Sequence, residues 1–361
     1  MSTTLVTGAD GHIGSAVAQR LLATSDRKLL LLVRSAKPLG QNPVFDALSG
    51  SARCRVVVAD LTEEQALANV ETASISEILH CAAVTDFNVS RDLAEAVNVD
   101  GTKRLVAFAE RCASLRCFGL TSSLYSSGLV DGEQSERLWT AEPAFANHYE
   151  WSKWQSERIV AGSGLPWQIY RLSTILADDA DGRVTQQNVI HNTLRLMFYG
   201  LMPVMPGYPD TRVYTVTTDF VASSLARLLL QGAAESVSHV TESGESAPPL
   251  GTLADIVYEA FLEDDGFRTA AILKPRFCDQ DTFTALQASA EQFATPSSDA
   301  LASVAPFVPQ LFSDKDFRTE ATTSALQGAA PPGGAALLAS VARAFAADRW
   351  GARSQGDKQH A

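Results

Sequence analysis

The stretch LVTGADGHIGSAVAQRLL, residues 5–22, decides the fold. Gly8, Gly11 and Gly14 recur at every third position, between an apolar run that predicts a strand and a longer run that predicts a helix. Gly8 permits a tight turn, Gly11 lets the backbone approach a pyrophosphate, and Gly14 allows the helix to pack closely on the strand. Because free N–H groups at the start of such a helix face the turn, the stretch predicts a dinucleotide site.

Strand and helix patterns alternate through the first half of the chain. The apolar runs lack polar alternation, which is typical of strands covered on both faces and therefore of a parallel sheet. Their alternation with helical patterns predicts an α/β fold, a doubly wound sheet of the Rossmann type. The predicted strands are 3–7, 28–33, 54–59, 77–82, 116–122 and 167–172, and the predicted helices lie near 12–24, 63–70, 92–113 and 148–162.

The pattern changes after about residue 172, where the chain becomes richer in loops. Helical patterns at 185–200, 217–232, 253–265 and near 335–350 are separated by Pro-, Ala- and Ser-rich connections. Ligands bind along the carboxyl edge of a doubly wound sheet, so a second lobe at that edge is expected to hold the substrate. We expect a dinucleotide-binding Rossmann domain at 1–172, joined again by 213–240, a smaller C-terminal substrate-binding lobe at 173–212 and 241–350, and a flexible tail at 351–361.

Composition and charge argue against several classes of protein. Hydrophobic residues make up 46% and charged residues 19% of the 361 residues, as expected of a folded soluble protein. The net charge of −12 disfavours a general nucleic-acid binder, because phosphate contacts need a basic face. The five cysteines form no C-x-x-C pair, so we expect no metal site. With no signal peptide and no apolar run of the ~20 residues that a membrane span needs, we expect a cytoplasmic protein.

The residue that follows the second predicted strand bears on the choice between NAD and NADP. NAD sites usually place an acidic residue there, whereas an arginine accommodates the 2′-phosphate of NADP. This chain has LLLLVRSAK, with Arg34 at that point and Lys37 close by. We therefore expect NADPH, with a solvated surface role for Arg34 as the alternative. Asp60, after the third strand, could reach the adenine or cap the next helix.

Further motifs follow the glycine pattern in a fixed order. They are Thr7–Gly14 (T-G-x-x-G-x-x-G), Asp60–Leu61, HCAA (80–83), NVDGT (98–102), TSS (121–123) and Tyr149-x-x-x-Lys153. In their order and spacing the chain resembles extended short-chain dehydrogenases/reductases, firmly over residues 1–172 and more loosely to about 230. The resemblance implies a cofactor site made of Gly8, Gly11, His12, Ile13, Gly14, Arg34, Asp60, Leu61, Ala82, Tyr149 and Lys153.

The resemblance also implies a catalytic set of Ser123, Tyr149 and Lys153. Tyr149 would exchange a proton with the substrate oxygen, and Ser123 would hydrogen-bond that oxygen, with Ser122 as the alternative serine. The ammonium of Lys153 is expected to lower the pKa of the Tyr149 phenol and to hold the nicotinamide ribose. Asn98 is expected to hold backbone groups in the cofactor half.

Three further details resemble the thioester-reductase and fatty acyl-CoA reductase-like branch, the male-sterility type. They are LLVRS (31–35), YEWSKWQSERIV (149–160) and GLMPVMPG (200–207). The resemblance implies NADPH-dependent reduction of an acyl thioester, bound to CoA or to a carrier protein, to an aldehyde or an alcohol. Arg171-Leu172 stands where the family commonly has Arg-Pro, which puts the wall of the nicotinamide pocket in question.

Other functions fit the first half of the chain as well. A ketone or aldehyde reductase of secondary metabolism, or a nucleotide-sugar epimerase or reductase, would use the same motifs, and a non-catalytic NADP-binding regulator is a third reading. Relatives often pair as homodimers, here through the helix after Asp92 and the helix that carries Tyr149. An acidic carrier protein would need a local basic patch, for which Arg268, Lys274 and Arg276 are candidates.

Overall fold

A computed structural model describes residues 2–35, 42–232, 235–292, 298, 301–302 and 304–350. Lys37 and the tail 351–361 lie outside these residues. Short parallel strands run through the whole described chain. In chain order they are β1 (Thr3–Thr7), β2 (Lys28–Val33), β3 (Cys54–Val58), β4 (Ile75–His80), β5 (Cys117–Ser123), β6 (Gly132–Gln134), β7 (Trp167–Leu172), β8 (Thr174–Ala177), β9 (Val204–Pro206), β10 (Thr215–Thr217), β11 (Ser236–Val240), β12 (Arg276–Cys278) and β13 (Lys315–Phe317).

Seven of these strands form one sheet in the order β11-β7-β5-β4-β1-β2-β3, and every neighbouring pair is parallel. The six strands predicted from apolar runs are all present in it, with bounds that differ by at most two residues. Strand order reverses between β1 and β4, and a doubly wound sheet opens a crevice at such a point. The predicted Rossmann-type sheet is confirmed.

Helices connect the strands and build the second lobe. In chain order they are α1 (His12–Thr24), α2 (Pro43–Ser49), α3 (Arg91–Ala94), α4 (Gly101–Ala109), α5 (His148–Ala161), α6 (Val189–Phe198), α7 (Thr218–Gln231), α8 (Leu250–Leu262), α9 (Asp265–Thr269), α10 (Gln280–Gln292), α11 (Glu320–Ala325) and α12 (Gly334–Asp348). A π-helical segment, Glu95–Asp100, joins α3 to α4, and two 3-10 segments lie at Leu124–Ser127 and Ala305–Phe312.

The predicted helix at 63–70 is wrong. The backbone there makes successive i→i+3 turns, such as Glu63 N–H to Asp60 and Ala66 N–H to Glu63, rather than i→i+4 bonds. Leu67 is buried against the sheet, and tight turns bring it there without a regular helix. The helix α2, which Asn42 caps by accepting from two backbone N–H groups, was not predicted.

Apolar layers cover both faces of the sheet. On one face α1 and α7 pack together, with Val17, Leu21 and Leu225 fully buried. On the other face α4 and α5 cover the sheet, with Leu105 and Val160 fully buried. α7 and β11 thus return to the Rossmann layer from a later part of the chain. The outermost strand β3 differs from the prediction of strands covered on both faces, because Val56 and Val58 are exposed.

The C-terminal lobe has its own hydrophobic core between α6, α8 and α12. Leu194, Phe261 and Val341 are buried in it. Two short strand pairs fasten the surrounding loops: β9 pairs with β12, and β6 pairs with β13. The second pair joins the lobe to the first half of the chain, next to the carboxyl edge of the large sheet.

The glycine turn between β1 and α1 is shaped by contacts that leave no room for a Cβ atom. Gly8 has φ +62°, and a Cβ placed on it would lie 2.8 Å from both Cα and N of Ala82. A Cβ on Gly14 would lie 2.2 Å from the carbonyl oxygen of Gly8. The turn therefore brings three backbone segments together at the switch point of the sheet.

We expect Gly8→Ala to destabilise the protein more than Gly164→Ala does. Gly164 also has positive φ, +72°, but a Cβ there would meet nothing within 4 Å. Gly164→Ala should therefore cost only about 1 kcal/mol of conformational strain. Gly8→Ala should cost this strain and, in addition, a clash with the backbone of Ala82. Urea unfolding of both variants measures the difference. Equal losses would contradict the close packing of Gly8 on Ala82.

Candidate active site

The N-terminus of α1 offers backbone N–H groups to the switch point. The helix begins after Gly11, which supplies no side-chain cap, and its first turn contains no acidic residue. Its orphan N–H groups and the positive end of its dipole therefore favour an anion such as a pyrophosphate. The described residues at this turn fit a dinucleotide.

A chain of buried hydrogen bonds fixes the loop that follows β4. The Thr7 hydroxyl lies 2.7 Å from His80 Nδ1 and accepts from the Ala82 N–H at 3.1 Å. His80 Nε2 lies 3.1 Å from the Thr102 hydroxyl. Burial, and then the charge of Lys153, lowers the pKa of His80 to about 3, so the imidazole is neutral. The loop is held by uncharged groups.

The Asn98 side chain holds the same loop from the other side. It accepts from the Val84 N–H at 2.8 Å and donates to the Val84 carbonyl at 2.9 Å. It also donates to Ser152 Oγ on α5 at 2.8 Å. The predicted backbone-holding role of Asn98 is confirmed, and the bond to Ser152 ties the loop to α5.

Ser123, Tyr149 and Lys153 lie together at the carboxyl end of β5. The Tyr149 and Lys153 side chains, four residues apart on α5, are both buried, and Ser123 ends the strand opposite them. Lys153 Nζ donates to the Thr121 carbonyl at 3.0 Å and lies 5.9 Å from the centre of the Tyr149 ring. The Ser123 hydroxyl is near enough to the Tyr149 phenol to favour its ionised form slightly. The structure thus brings the three residues together.

The expected lowering of the Tyr149 pKa is wrong for this structure. Burial raises the pKa of the phenol to about 12, against a smaller lowering by Ser123. The Lys153 ammonium does not reverse this, because it points to the Thr121 carbonyl. Burial also lowers the pKa of Lys153 itself to about 8. Tyr149 therefore keeps its proton at neutral pH, as a general acid must.

Ser122 and Ser123 have different surroundings. Ser122 Oγ donates to Glu157 Oε1 at 2.6 Å in a fully buried site, whereas Ser123 lines the open cleft. Glu157 also accepts from Ser126 at 2.7 Å and forms a two-pronged ion pair with Arg171, with N–O distances of 2.7–3.2 Å. This geometry favours Ser123 as the serine that faces a substrate. It also shows that Arg171 is part of a buried network.

A cleft of about 400 Å³ runs from the glycine turn to Tyr149. The residues predicted for the cofactor or for catalysis that line it are Gly8, Gly11, His12, Ile13, Gly14, Ser123, Tyr149 and Lys153. Since these side chains and turns face one continuous space, a ligand lying on the glycine turn can reach the phenol.

Four predicted residues are not among those that line this cleft. Arg34 is exposed just after β2, at the same edge of the sheet. The Asp60 carboxylate accepts from the Thr62 N–H at 2.9 Å, so it is engaged in the local turn. Leu61 is buried, and Ala82 packs behind Gly8.

Several residues that line the cleft were not predicted from the sequence. Phe87 lies in the loop after β4, and Tyr125 lies in the 3-10 segment after β5. Asn188 caps α6 by accepting from the Ile190 N–H at 3.0 Å. Leu172, which the sequence places at the wall of the nicotinamide pocket, ends β7 and lines the cleft, whereas no sequence signal marks the other residues.

A buried polar cluster joins the helix of Tyr149 to the C-terminal lobe. Glu150 is fully buried and accepts from Gln310 Nε2 at 2.9 Å. Lys315 Nζ donates to Gln310 Oε1 and to the Gly128 carbonyl. Burial raises the pKa of Glu150 to about 7 and lowers that of Lys315 to about 8. Gln310 therefore bridges two groups of opposite charge across the junction of the lobes.

Comparison with known proteins identifies the family. The model of the male sterility protein family, an NAD-binding family, matches residues 6–225, more than half of the chain. The chain belongs to this family. Its place among the extended short-chain dehydrogenases/reductases, in the male-sterility-type branch, is confirmed. The Rossmann domain of this family member is an NAD(P)-binding domain, and the fold is that of an NAD(P)-dependent oxidoreductase.

Individual relatives are distant. The isonitrile lipopeptide synthase of Streptomyces coeruleorubidus is 27% identical over 246 residues, which cover 63% of this chain but 16% of that protein. The Drosophila melanogaster fatty acyl-CoA reductase wat is 21% identical over 272 residues, 61% of this chain and 52% of that protein. The chain thus spans about half or less of the curated relatives it matches.

A solved structure shares the fold over nearly the whole chain. The terminal R domain of the myxalamid PKS-NRPS pathway superimposes with a TM-score of 0.75 at 21% identity, over 97% of this chain and 91% of that one. The C-terminal lobe is therefore included in the likeness. Within the described residues, no helix of this family member is both long enough and apolar enough to cross a membrane, and no cluster of His, Cys, Asp and Glu could hold a metal ion.

We expect Lys315→Met to destabilise the protein by about 3–5 kcal/mol, because it leaves Glu150 buried without a cationic partner. Since the pKa of Glu150 is raised, the folded state binds its proton more tightly, and stability falls as pH rises from about 4.5 to about 7. The loss should therefore be larger at about pH 8 than at about pH 5. Urea unfolding at both pH values measures it.

The double variant Glu150→Gln/Lys315→Met is the matched control. It removes both charges, so much of the lost stability should return, and the pH dependence should weaken. A loss that is the same at both pH values, and that the second substitution does not relieve, would show that the two charges are not coupled.

Proposed function

We propose that this chain is an NADPH-dependent reductase that transfers hydride to the carbonyl of an acyl thioester, bound to CoA or to a carrier protein, and forms an aldehyde or alcohol. The observation that carries the proposal is the meeting of Ser123, Tyr149 and Lys153 in a cleft that begins at the glycine turn. A family whose members include a fatty acyl-CoA reductase supports the choice of a thioester.

The cofactor would lie on the glycine turn formed by Gly8, Gly11 and Gly14, with His12 and Ile13 beside it. When bound, it supplies the hydride. Lys153 would hold the nicotinamide ribose. Arg34 stands at the carboxyl end of β2 and is exposed, so its guanidinium can pair with a 2′-phosphate. We therefore assign NADPH rather than NADH.

The three polar residues would act on the substrate oxygen. Ser123 donates a hydrogen bond to the carbonyl and Tyr149 gives its proton to the oxygen as negative charge develops there. A phenol with a pKa of about 12 is protonated at neutral pH, and an alkoxide is a strong enough base to take that proton. The ammonium of Lys153 stabilises the phenolate that remains.

Reduction of a thioester by one hydride and one proton gives a hemithioacetal. Its carbon–sulfur bond then breaks, the hydroxyl proton ends on the sulfur, and an aldehyde and a free thiol leave. A second hydride and proton would give the alcohol. Release of a thiol is thus the sign that separates this chemistry from the reduction of a ketone.

Residues 173–215 contain only three basic residues, Arg183, Arg195 and Arg212, and two of them are held in ion pairs, which argues against a sugar diphosphate. Arg183 is paired with Asp179 at 3.2 Å, and Arg212 is paired with Asp314 at 3.2 Å. Both cations are therefore already neutralised by carboxylates, and a diphosphate would have to displace them. An NADP-binding regulator is disfavoured because Tyr149 and Lys153 are both retained and both face the cleft.

The proposed partner is the substrate, alone or on its carrier. Of the basic residues considered for docking an acidic carrier, Arg268 is paired with Asp265 and Lys274 with Asp255. Their charges are offset, so this surface offers a weaker attraction than the sequence predicted. A homodimer through α4 and α5 and the division into lobes at 172 remain proposals.

We expect Arg34→Asp to weaken NADPH binding by more than tenfold while NADH binding changes little, because only NADPH carries the 2′-phosphate. Titration of cofactor fluorescence measures both affinities. Tighter binding of NADH than NADPH to the wild type would contradict the role of Arg34.

Incubation with NADPH and a panel of acyl-CoAs, acyl-carrier thioesters, aldehydes and ketones tests the reaction. We expect loss of NADPH absorbance with release of one thiol per thioester.

Tyr149→Phe should lower turnover at least about a hundredfold, because it removes the proton donor, and should leave NADPH binding intact. Ser123→Ala should lower turnover, whereas Ser122→Ala should mainly lower stability. Brisk ketone reduction without release of thiol from any thioester would refute the proposal.

A further inference from the structure

An apolar cavity of about 90 Å³ lies inside the C-terminal lobe, apart from the catalytic cleft. It is a partly open pocket, lined by α6, α8, α12 and the 3-10 segment Ala305–Phe312. Leu194, Leu253, Val257 and Leu338 line it, and each is buried in the core of the lobe. Because its lining is almost wholly apolar, this pocket suits an apolar ligand better than water.

Two features connect this cavity to the cleft. Phe307 lines the cavity, and its ring stacks on Phe87 with centres 5.7 Å apart and meets Tyr125 at 5.2 Å. Both of those partners line the cleft, and the Phe87 ring lies 5.6 Å from that of Tyr149. A single aromatic layer thus separates the two spaces.

The start of α6 is the second connection. Its cap, Asn188, faces the cleft, while Val189 and Ile190, the next two residues, line the cavity. The path from the cleft to the cavity therefore runs between Asn188 and the ring of Phe307. A chain that begins at Tyr149 and passes Phe307 would enter the cavity.

We propose that the cavity holds the end of an unbranched, saturated hydrocarbon chain of the acyl substrate, and that Phe307 turns aside to admit it. This inference rests on the proposed function, since it extends from the carbonyl held at Ser123 and Tyr149. An apolar cavity of about 150 Å³ can hold benzene, so this one suits a slim chain of a few carbons better than a branched or ring-bearing group.

The cavity wall disfavours a polar chain. Its two threonines are engaged within the protein: Thr193 Oγ1 donates to the Val189 carbonyl at 2.9 Å, and Thr215 Oγ1 lies 3.5 Å from Glu242. They offer no free donor, so a hydroxyl or amide on the chain would be buried with a poor partner. Peptidyl and hydroxylated acyl groups should therefore be excluded.

The test compares chain lengths in the wild type and in two reciprocal variants. Butanoyl, hexanoyl and octanoyl thioesters of N-acetylcysteamine, and the matching aldehydes, are reduced with NADPH. Each methylene that enters the cavity should raise kcat/KM about fourfold. Ala254→Leu, which fills the cavity from α8, should lower the octanoyl-to-butanoyl ratio about tenfold. Val257→Ala, which enlarges it, should move the preference to longer chains.

A matched control and a binding measurement keep the outcomes distinct. Ala336→Leu makes the same substitution on the exposed face of α12 and should keep the wild-type chain-length profile. Calorimetric titration of the NADPH-bound protein with the unreactive n-octanamide and n-butanamide should show tighter binding of octanamide, which Ala254→Leu reduces.

The results separate the two proposals. If thioesters are reduced without dependence on chain length, and the two amides bind equally, the cavity assignment is overturned while the reductase stands. If no thioester is reduced but octanamide binding shows the expected dependence on residue 254, the cavity assignment stands and the reaction is wrong.

Discussion

One face of α5 carries the constraint on which the site depends. Tyr149, Lys153 and Glu157 follow one another at intervals of four, so a single buried stripe presents a phenol, an ammonium and a carboxylate. Glu157 is held by Arg171 on β7, by Ser122 in β5 and by Ser126 just after that strand. The contacts of Glu157 hold α5 against β5 and β7. They therefore fix the distance between Tyr149 on α5 and Ser123 on β5. Removing Glu157 or Arg171 would leave a charge buried without compensation.

The sequence predicts the sheet well because strand pairing depends on local apolar runs and on glycines whose constraints are local. The prediction of a helix at 63–70 is wrong because the backbone conformation there follows from the burial of Leu67 against the sheet, and not from the local helix propensity. The motifs also predict the residues Ser123, Tyr149 and Lys153, which the structure brings together. The shift in the pKa of Tyr149 was not predicted correctly, because its direction depends on burial and on where the Lys153 ammonium points, and neither is visible in spacing. Gln310 and Lys315 lie more than 150 residues from Glu150, so no pattern reveals their contact.

The two lobes are joined by polar and by aromatic contacts that come from the same short segment. Gln310 reaches Glu150 beside Tyr149, and three residues earlier Phe307 stacks on Phe87. The electrostatic contact therefore sets the position of the ring that separates cleft from cavity. A shift of this segment would alter the substrate side of the site while leaving the glycine turn, on the other side of the cleft, unchanged. The proposed cofactor site and the proposed substrate site thus rest on different parts of the fold.

The unpaired outer edge of strand β3 has a consequence for the solubility of the protein. In the part of the chain that the structure describes, no strand pairs with its outer side, and Val56 and Val58 are 38% and 56% exposed. Unsatisfied backbone groups beside apolar side chains form a template for edge-to-edge association. Concentrated solutions should therefore aggregate through this edge first. Val56→Lys would oppose that association, since it adds a charge where a neighbouring sheet would pair.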